Sequence, residues 1–264
     1  MVKITKKINI IPGGPNTLIY DGRIVIDRNN PEIQGEVQLA THGHADHISG
    51  LLSNAKVKYL PKEEYWSITL QGRRMLTYGC TSLGSEIFSY DYVKENLVDL
   101  ATDYKDSEIE SIKLPGHTPG HTGYIVDNVL YAGDAFFGER VLQNFSVPFY
   151  IDFWSALDSI QKIKEISKSM ENIVISHGPI FSLNKMIKLI DYNIEYNNKL
   201  VERVKELIST NEMTSEEIAI RLKPDISATG VLLNSITIKS MLLGLENIEY
   251  KVTPKGLVFR KKVH

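Results

Sequence analysis

Six of the chain's seven histidines fall in three short segments, and an aspartate lies between the last two of these segments. The densest segment, HGHADH at residues 42–47, places three imidazoles and one carboxylate within six positions. Imidazole nitrogens and carboxylate oxygens are ligands that zinc binds, and other transition metals accept the same set. These segments therefore predict a metal site. The side chains concerned are His42, His44, Asp46, His47, His117, His121, Asp134 and His177.

The spacing within the first segment divides it into two parts. His42 and His44 are two positions apart, so their side chains project to the same side of an extended backbone. Asp46 and His47 follow at the turn into a predicted helix and can face a second centre. The economical interpretation is two metal ions, one bound by His42, His44 and His117, the other by Asp46, His47 and His177, with Asp134 bridging them.

A single histidine at the end of a strand is more often a hydrogen-bonded core or surface residue than a ligand, and an isolated HxH is a weak signal. The metal interpretation depends on the complete set. HxHxDH occurs here together with two further histidine segments and with a Gly-Asp pair that follows a predicted strand. Such a combination is hard to obtain by chance.

Strands must position these segments, because each segment follows a predicted strand and begins a loop that contains glycine. Strand ends of a sheet sandwich meet at one edge, and glycine allows the tight turns needed there. The Asp21-Gly22 pair predicts a two-residue hairpin. Residues 62–110 are expected to be irregular and near the site, apart from a strand at 86–90. The other predicted strands are 3–11, 17–20, 23–27, 36–41, 57–60, 109–114, 124–126, 129–132 and 172–176.

The character of the sequence changes near residue 184. Before it, apolar residues at helical spacing predict one long helix over 153–170. After it, the predicted helices are 185–210, 215–222 and 230–245, followed by a hairpin over 248–262. We therefore expect a catalytic domain at 1–184 and a C-terminal helical region at 185–264.

The composition excludes several classes of protein. The hydrophobic fraction of 42% is ordinary for a globular protein. No run of about 18 apolar residues occurs, so no membrane partner is expected. The single cysteine, Cys80, excludes an internal disulfide and suits a reducing cytoplasm, which is the expected location. The net charge of −2 gives no general attraction to nucleic acid.

The motifs HGHADH, PGHTPGH, AGDAFF and SHG, in this order, resemble the motif set of the metallo-β-lactamase superfamily over roughly residues 1–184. The resemblance implies an α/β fold, a four-layered αββα sandwich with the site at one edge of two sheets. It also implies that His117 is the ligand in the second segment, while His121 supports the loop. His264 is expected to be a solvated bystander.

The expected chemistry is hydrolysis with two divalent metal ions, with zinc favoured and iron or manganese as alternatives. Two such ions share a water molecule and lower its pKa toward neutrality, which makes hydroxide available at neutral pH. Asp46 is the expected catalytic residue, because its carboxylate can bind metal and accept a hydrogen bond from the nucleophile.

Several residues differ from the patterns of individual subfamilies, and these differences narrow the range of expected substrates. The better-known β-lactamases use a cysteine where this chain has Asp134, and the familiar acyl-homoserine lactonases have a tyrosine where it has Phe137. Glyoxalase II enzymes carry a basic glutathione-binding segment that AFFGERVLQNF matches poorly. Arg140 in that segment could bind an anionic substrate, but a surface salt bridge is the preferred interpretation. Mononuclear iron persulfide dioxygenases share much of the histidine pattern and are a non-hydrolytic alternative.

The C-terminal region resembles the winged-helix arrangement of the β-lactamase-like protein 2 group, whose members resemble single-strand endoribonucleases. The final hairpin would be the wing, with Lys255, Arg260, Lys261 and Lys262 on it. Two hydrolytic functions therefore compete. The first is hydrolysis of a small ester, thioester or lactone, with residues 185–264, the tail, covering the site or forming a homodimer. The second is cleavage of RNA, with the tail binding phosphates. The small-molecule hydrolase is favoured because the chain lacks an aromatic and basic stripe of the kind that binds single strands.

Overall fold

The computed structural model describes residues 1–82 and 85–262, so that His264 lies outside the described residues. The strands of the first sheet are β1 (Val2–Lys3), β2 (Ile8–Ile11), β3 (Thr17–Tyr20), β4 (Ile24–Ile26), β5 (Val37–Leu39) and β6 (Val57–Tyr59), and they pair in this order. The pairs from β1 to β4 are antiparallel, whereas β4, β5 and β6 run parallel. The predicted hairpin between β3 and β4 is present, with φ angles of 50° at Asp21 and 64° at Gly22, but its connection has three residues and not two, since Tyr20 pairs with Ile24.

The second sheet consists of β7 (Ile109–Lys113), β8 (Thr122–Val126), β9 (Val129–Tyr131) and β10 (Asn172–Val174). Their order is β10-β9-β8-β7, and β10 runs parallel to β9. The two sheets face each other across one apolar core, in which Ile8 and Leu18 of the first sheet pack in the same cluster as Tyr124 and Tyr131 of the second.

Helices cover the outer faces of both sheets. Those that pack on the sheets are α1 (Ala45–Ile48), α4 (Phe153–Ile166) and α5 (Leu183–Leu207), while α2 (Leu70–Tyr78) and α3 (Glu139–Phe145) lie elsewhere in the same part of the chain. Ile160 of α4 and Leu189 of α5 pack with Leu130 of the second sheet, while Ile48 of α1 packs with Leu60 beside the first. The four layers are therefore helix, sheet, sheet and helix, and the predicted α/β sandwich is confirmed.

The rest of the chain forms β11 (Met213–Thr214), α6 (Ser215–Leu222), α7 (Ala228–Leu243), β12 (Ile248–Thr253) and β13 (Gly256–Lys261). The strands form a small sheet in the order β11-β13-β12. Leu200, Ile238 and Phe259 pack in one cluster with Tyr150 and Phe153, so an apolar core continues across residue 184. The division at 184 and the winged-helix likeness stay predictions.

The segment predicted to be irregular contains a regular helix. Thr69 caps α2 by accepting a hydrogen bond of 3.1 Å from the Gly72 amide, and Gly79 ends the helix with a φ angle of 73°. Its buried side includes Arg73 and Arg74, whose guanidinium groups both pair with Asp91. Because arginines occupy part of the buried side, the apolar period that would have predicted the helix is weak.

One further local prediction was wrong, and one helix was missed. The strand expected at 86–90 is a 3-10 turn over Glu86–Phe88, which begins where the Ser85 hydroxyl accepts a hydrogen bond from the Ile87 amide. Helix α3 was not predicted. No helix within the described ranges, 1–82 and 85–262, has both the length and the apolar character needed to cross a bilayer.

Candidate metal centre

The donor segments meet at one edge of the two sheets. The segment with three histidines follows β5, His117 lies in the loop between β7 and β8, Asp134 follows β9, and His177 follows β10. The Ser176 amide donates to the Gly133 carbonyl at 3.0 Å, which continues the pairing of β9 and β10 and sets Asp134 beside His177. Residues more than a hundred positions apart therefore share one site.

The first donor group consists of His42, His44 and His117. His44 Nδ1 lies 2.9 Å from His42 Nε2 and 3.0 Å from His117 Nε2. Imidazole nitrogens at this distance repel each other unless a proton or a cation lies between them. The three residues predicted to bind the first ion are thus brought together in this structure.

The second donor group consists of Asp46, His47 and His177. His177 Nε2 lies 3.1 Å from Asp46 Oδ2 and 3.4 Å from His47 Nε2. His47 Nε2 is also 3.5 Å from Asp46 Oδ2. This group contains the residues predicted to bind the second ion.

Asp134 lies between the two groups. Its Oδ2 atom is 3.4 Å from His117 Nε2 of the first group and 3.5 Å from His177 Nε2 of the second. Its Oδ1 atom is buried and has no hydrogen-bond partner among the described residues. Burial raises the pKa of this carboxyl group. A divalent cation on either side would compensate a carboxylate in this position.

The protonation of the two groups differs. Burial lowers the pKa of His42 and His117 well below the usual range, and it lowers the pKa of His44 to about 4, so the first group is neutral and ready to bind a metal. At His47, burial lowers the pKa, but the nearby carboxylates of Asp46, Asp27 and Asp134 outweigh burial and raise the pKa to about 10. A cation at the second group would therefore displace a proton.

The buried carboxylate of Asp27 orients His47. Asp27 Oδ2 lies 2.7 Å from His47 Nδ1 and accepts a hydrogen bond of 2.7 Å from the Thr41 hydroxyl, while its Oδ1 accepts one of 2.8 Å from the Thr41 amide. A carboxylate in this position favours a proton on Nδ1 and leaves Nε2 free for a metal.

Glu64 joins the loops that carry the first group. Its two carboxylate oxygens accept hydrogen bonds from the amides of Gly43 and Gly120, at 2.8 Å and 2.6 Å. A Cβ atom at Gly43 would lie 2.5 Å from the Ser67 hydroxyl oxygen, so only glycine allows this approach. The Glu64 side chain thus fixes the spacing between the His42–His44 segment and the His117 loop.

His121 lies beside the donor groups. Its Nε2 atom accepts a hydrogen bond of 2.9 Å from the Asp134 amide, and burial lowers the pKa of the ring to about 3, which keeps it neutral. Gly133 comes close to the same ring, where a Cβ atom would lie 2.6 Å from Nε2. His121 therefore holds the turn that carries Asp134.

The tail contacts the site through the loop that precedes α4. The carbonyl oxygen of Phe149 is 2.7 Å from His117 Nδ1. The hydroxyl of Thr237, on α7, accepts a hydrogen bond of 2.8 Å from the Tyr150 amide and lies 3.1 Å from the Pro148 carbonyl oxygen. Asn193, on α5, binds both the backbone N–H and the carbonyl of Phe137 at 3.1 Å and 2.9 Å.

A cavity of about 640 Å³ opens onto the donor groups. His44, Asp46, His117, Asp134 and His177 form part of its wall. Tyr78 and Phe137 line it as well, whereas Tyr150 is buried in the core. Arg140 is exposed on α3 and forms no ion pair with the described residues, so the expected salt bridge is wrong.

Four supporting residues were missed by the sequence analysis: Asp27, Glu64, Asn193 and Thr237. Asp27 had a signal, since it directly follows the buried strand Ile24–Ile26 just as Asp134 follows β9. Glu64 lies in the sequence KEEY, which reads as an exposed polar turn. Asn193 and Thr237 lie on helices 56 and 87 positions along the chain from the backbone groups of Phe137 and Tyr150 that they bind.

The sequence model of the metallo-beta-lactamase superfamily matches residues 39–177. Hydroxyacylglutathione hydrolase 1 of Vibrio vulnificus is 28% identical over 94% of this chain and 82% of its own length. A hydroxyacylglutathione hydrolase of Shewanella baltica is 28% identical over 47% of this chain, and this match spans 44% of that relative's own length. A probable metallo-hydrolase of Methanocaldococcus jannaschii is 27% identical over 58% of this chain and 61% of its own length.

Solved structures show the same fold. A metallo-beta-lactamase family protein of Thermus thermophilus superposes with a TM-score of 0.71 and 16% identity, covering 98% of this chain and 100% of that one. A beta-lactamase domain protein of Burkholderia ambifaria gives a TM-score of 0.66 and 13% identity, covering 99% and 93%. The C-terminal helices are included in both superpositions.

Proposed function

Because this chain belongs to the metallo-β-lactamase superfamily of metallohydrolases, we propose that it hydrolyses an ester, thioester or lactone of a small molecule with two divalent metal ions. The observation that supports this proposal most directly is the position of Asp134 between two donor groups that each contain three side chains. A single metal site would not require donors on both sides of this carboxylate.

The donor set fits zinc. Its atoms are imidazole nitrogens and carboxylate oxygens, which zinc accepts readily and which iron and manganese also accept. The buried Oδ1 of Asp134 lies 3.5 Å from His47 Nε2 and accepts no hydrogen bond among the described residues, which supports a cation at this position. His42, His44 and His117 would hold one ion, Asp46, His47 and His177 the other, and Asp134 would bridge them.

Two bound divalent ions would supply Lewis acidity and lower the pKa of a water molecule toward neutrality. The residues contribute position. Asp46 is partly exposed to the cavity, and its neighbours His47 and His177 outweigh burial and hold the pKa of its carboxyl well below the usual range. As a carboxylate it can accept a hydrogen bond from an attacking water and hold that water in line with a carbonyl carbon.

A carbonyl substrate has more support than RNA. The hydroxyacylglutathione hydrolases are thioester hydrolases by name. On the C-terminal hairpin, Lys255 pairs with Glu217 at 3.0 Å, and Arg260 pairs with Glu212 at 3.0 Å. These ion pairs neutralise part of the basic surface that a phosphate backbone would need.

The test is to measure bound zinc and turnover in three forms of the protein: the unchanged chain, Asp134→Ala and Asp103→Ala. Asp103 is an exposed residue outside the donor groups and serves as the control. We expect Asp134→Ala to lose zinc and to lower kcat/KM for thioesters by at least about 100-fold, whereas Asp103→Ala should change neither.

A labelled single-stranded RNA is assayed beside the thioesters and lactones, with Asp46→Ala as a second variant. Full zinc content and full turnover in Asp134→Ala would contradict the proposal. RNA cleavage that Asp46→Ala abolishes, without turnover of any carbonyl compound, would establish the nuclease instead.

A further inference from the structure

We propose that the cavity beside the donor groups binds an extended, uncharged and apolar acyl chain, so that the preferred substrates are esters, thioesters or lactones that carry such a chain. This inference rests on the proposed hydrolase function and deepens it. Three observations support the proposal: part of the cavity wall is apolar, the lysine and arginine in the wall are paired with carboxylates, and aromatic side chains of the wall are exposed.

The apolar part of the wall is continuous with the donor groups, since both belong to one cavity of about 640 Å³. Val141, Leu142 and Phe145 of α3 line one part, and Ile226 and Leu233 of the tail line another. A carbonyl carbon held at Asp46 would therefore have room for an attached chain along these side chains. Ligand sites are typically apolar concave surfaces with a few polar groups at the point of chemistry.

The cations in the wall are already paired. Arg73 Nε lies 3.1 Å from Asp91 Oδ1, and its NH1 and NH2 groups donate to the carbonyl oxygens of Ser67 and Val93. Lys223 Nζ lies 3.2 Å from Asp225 Oδ1. Among the described wall residues, no lysine or arginine is left without a carboxylate partner. A glutathione carboxylate would have to be desolvated here without a compensating charge, which is costly.

Aromatic side chains of the wall are unusually exposed. The exposed fractions are 56% for Tyr92 and 44% for Phe145. Their rings lie in the cavity wall and not singly on a convex surface. An apolar chain bound between them would remove this area from water and gain free energy in proportion to the area covered.

The experiment is a chain-length series on the zinc-loaded protein. N-acetylcysteamine thioesters carry no charge, and we would use the acetyl, butanoyl, hexanoyl, octanoyl and decanoyl compounds. S-lactoylglutathione represents a short acyl group with an anionic thiol. A second arm compares δ-valerolactone with δ-decanolactone, which distinguishes a lactone from a thioester as the source of the chain.

We expect kcat/KM to rise by up to about fourfold for each added CH₂, and by at least about 100-fold between butanoyl and decanoyl. S-lactoylglutathione should be a poorer substrate than the decanoyl thioester. A rise within only one of the two arms assigns the chain to that class of compound.

Two variants that fill the cavity test its location. Leu233→Trp in α7 and Val141→Trp in α3 should each lower the ratio of decanoyl to acetyl kcat/KM by at least about tenfold, because the added ring occupies space that the chain needs. Leu243→Trp is the matched control, since Leu243 is exposed on α7 outside the cavity and should leave the ratio unchanged. Zinc content and thermal unfolding show whether each variant is folded.

Turnover that does not rise with chain length, or faster turnover of S-lactoylglutathione than of the decanoyl thioester, would overturn this inference and leave the hydrolase function intact. A full response to chain length in both folded tryptophan variants would overturn the location. Absence of turnover of every compound by protein with both ions bound would overturn the proposed function and this inference together.

Discussion

Several donor residues are held by a further buried polar group, and His47 shows this support most clearly. Asp27 is fully buried, and the described hydrogen bonds of its carboxylate are made to Thr41 and His47. A buried carboxylate is costly unless it is hydrogen-bonded, so its presence requires these partners. Asp27 is therefore a positioning residue for the second donor group.

We predict that Asp27→Asn weakens zinc binding at the second donor group by about 10–100-fold. The Asn side chain keeps the shape, but its amide can donate to His47 Nδ1, which would move the ring proton to Nε2 and block the metal lone pair. Competition with a chromophoric chelator measures the affinity of both sites.

Asp106→Asn is the control for this prediction, because Asp106 pairs with Arg23 away from the donor groups. Unchanged affinity at both sites in Asp27→Asn would show that His47 does not need this carboxylate.

At the scale of secondary-structure elements, α7 supports a candidate metal ligand, His117, that it does not contact. Thr237 bonds the residues on both sides of Phe149, and the Phe149 carbonyl oxygen accepts a hydrogen bond from His117 Nδ1. The Thr237 hydroxyl is buried together with these backbone groups. The helix thus fixes the loop, and the loop fixes the orientation of the imidazole.

We predict that Thr237→Val lowers the free energy of unfolding by about 1–3 kcal/mol, because the Tyr150 amide is left buried without its partner. Zinc affinity at the first donor group should fall by about tenfold as His117 loses its fixed orientation. Chemical unfolding and zinc titration measure the two effects.

Ser235→Ala is the matched control on the same helix, since the Ser235 hydroxyl donates only to Leu232 within α7. Loss of stability in Thr237→Val with unchanged zinc affinity would show that the loop does not orient His117.

At the scale of the whole molecule, the two sides of residue 184 share apolar cores. Met186 and Leu189 of α5 complete the cluster on the outer face of the second sheet. Phe137 and Tyr150 pack in the cluster that also contains Leu200 and Met241. Residues on each side of position 184 also contribute to the wall of the cavity beside the donor groups.

We predict that a chain of residues 1–184 alone unfolds at least about 10 °C below the full chain, because several large apolar side chains lose their cover. It should also bind a hydrophobic dye, and separately produced residues 185–264 should suppress this binding when added. Calorimetry and dye fluorescence measure both effects. Cooperative unfolding of 1–184 at the temperature of the full chain would contradict the prediction and support two independent domains.

The sequence by itself identified the candidate donor residues and the strands that precede them. HxHxDH, His117, Asp134 and His177 were identifiable because metal ligands are restricted to a few residue types, and the alternation of apolar residues marked β8 and β9. Local chemistry also determined the hairpin at Asp21-Gly22. These features depend on neighbours within a few positions.

Only the tertiary structure decided how the donors are held and what the cavity is made of. Asp27, Glu64 and Thr237 act on residues 14 to 89 positions away, and no local pattern records such contacts. Helix α2 was missed because its buried side carries arginines that Asp91 neutralises from outside the helix. The cavity wall joins α3 to the tail, and its apolar character depends on which sides of distant helices face each other. Packing, which is non-local, sets all of these features.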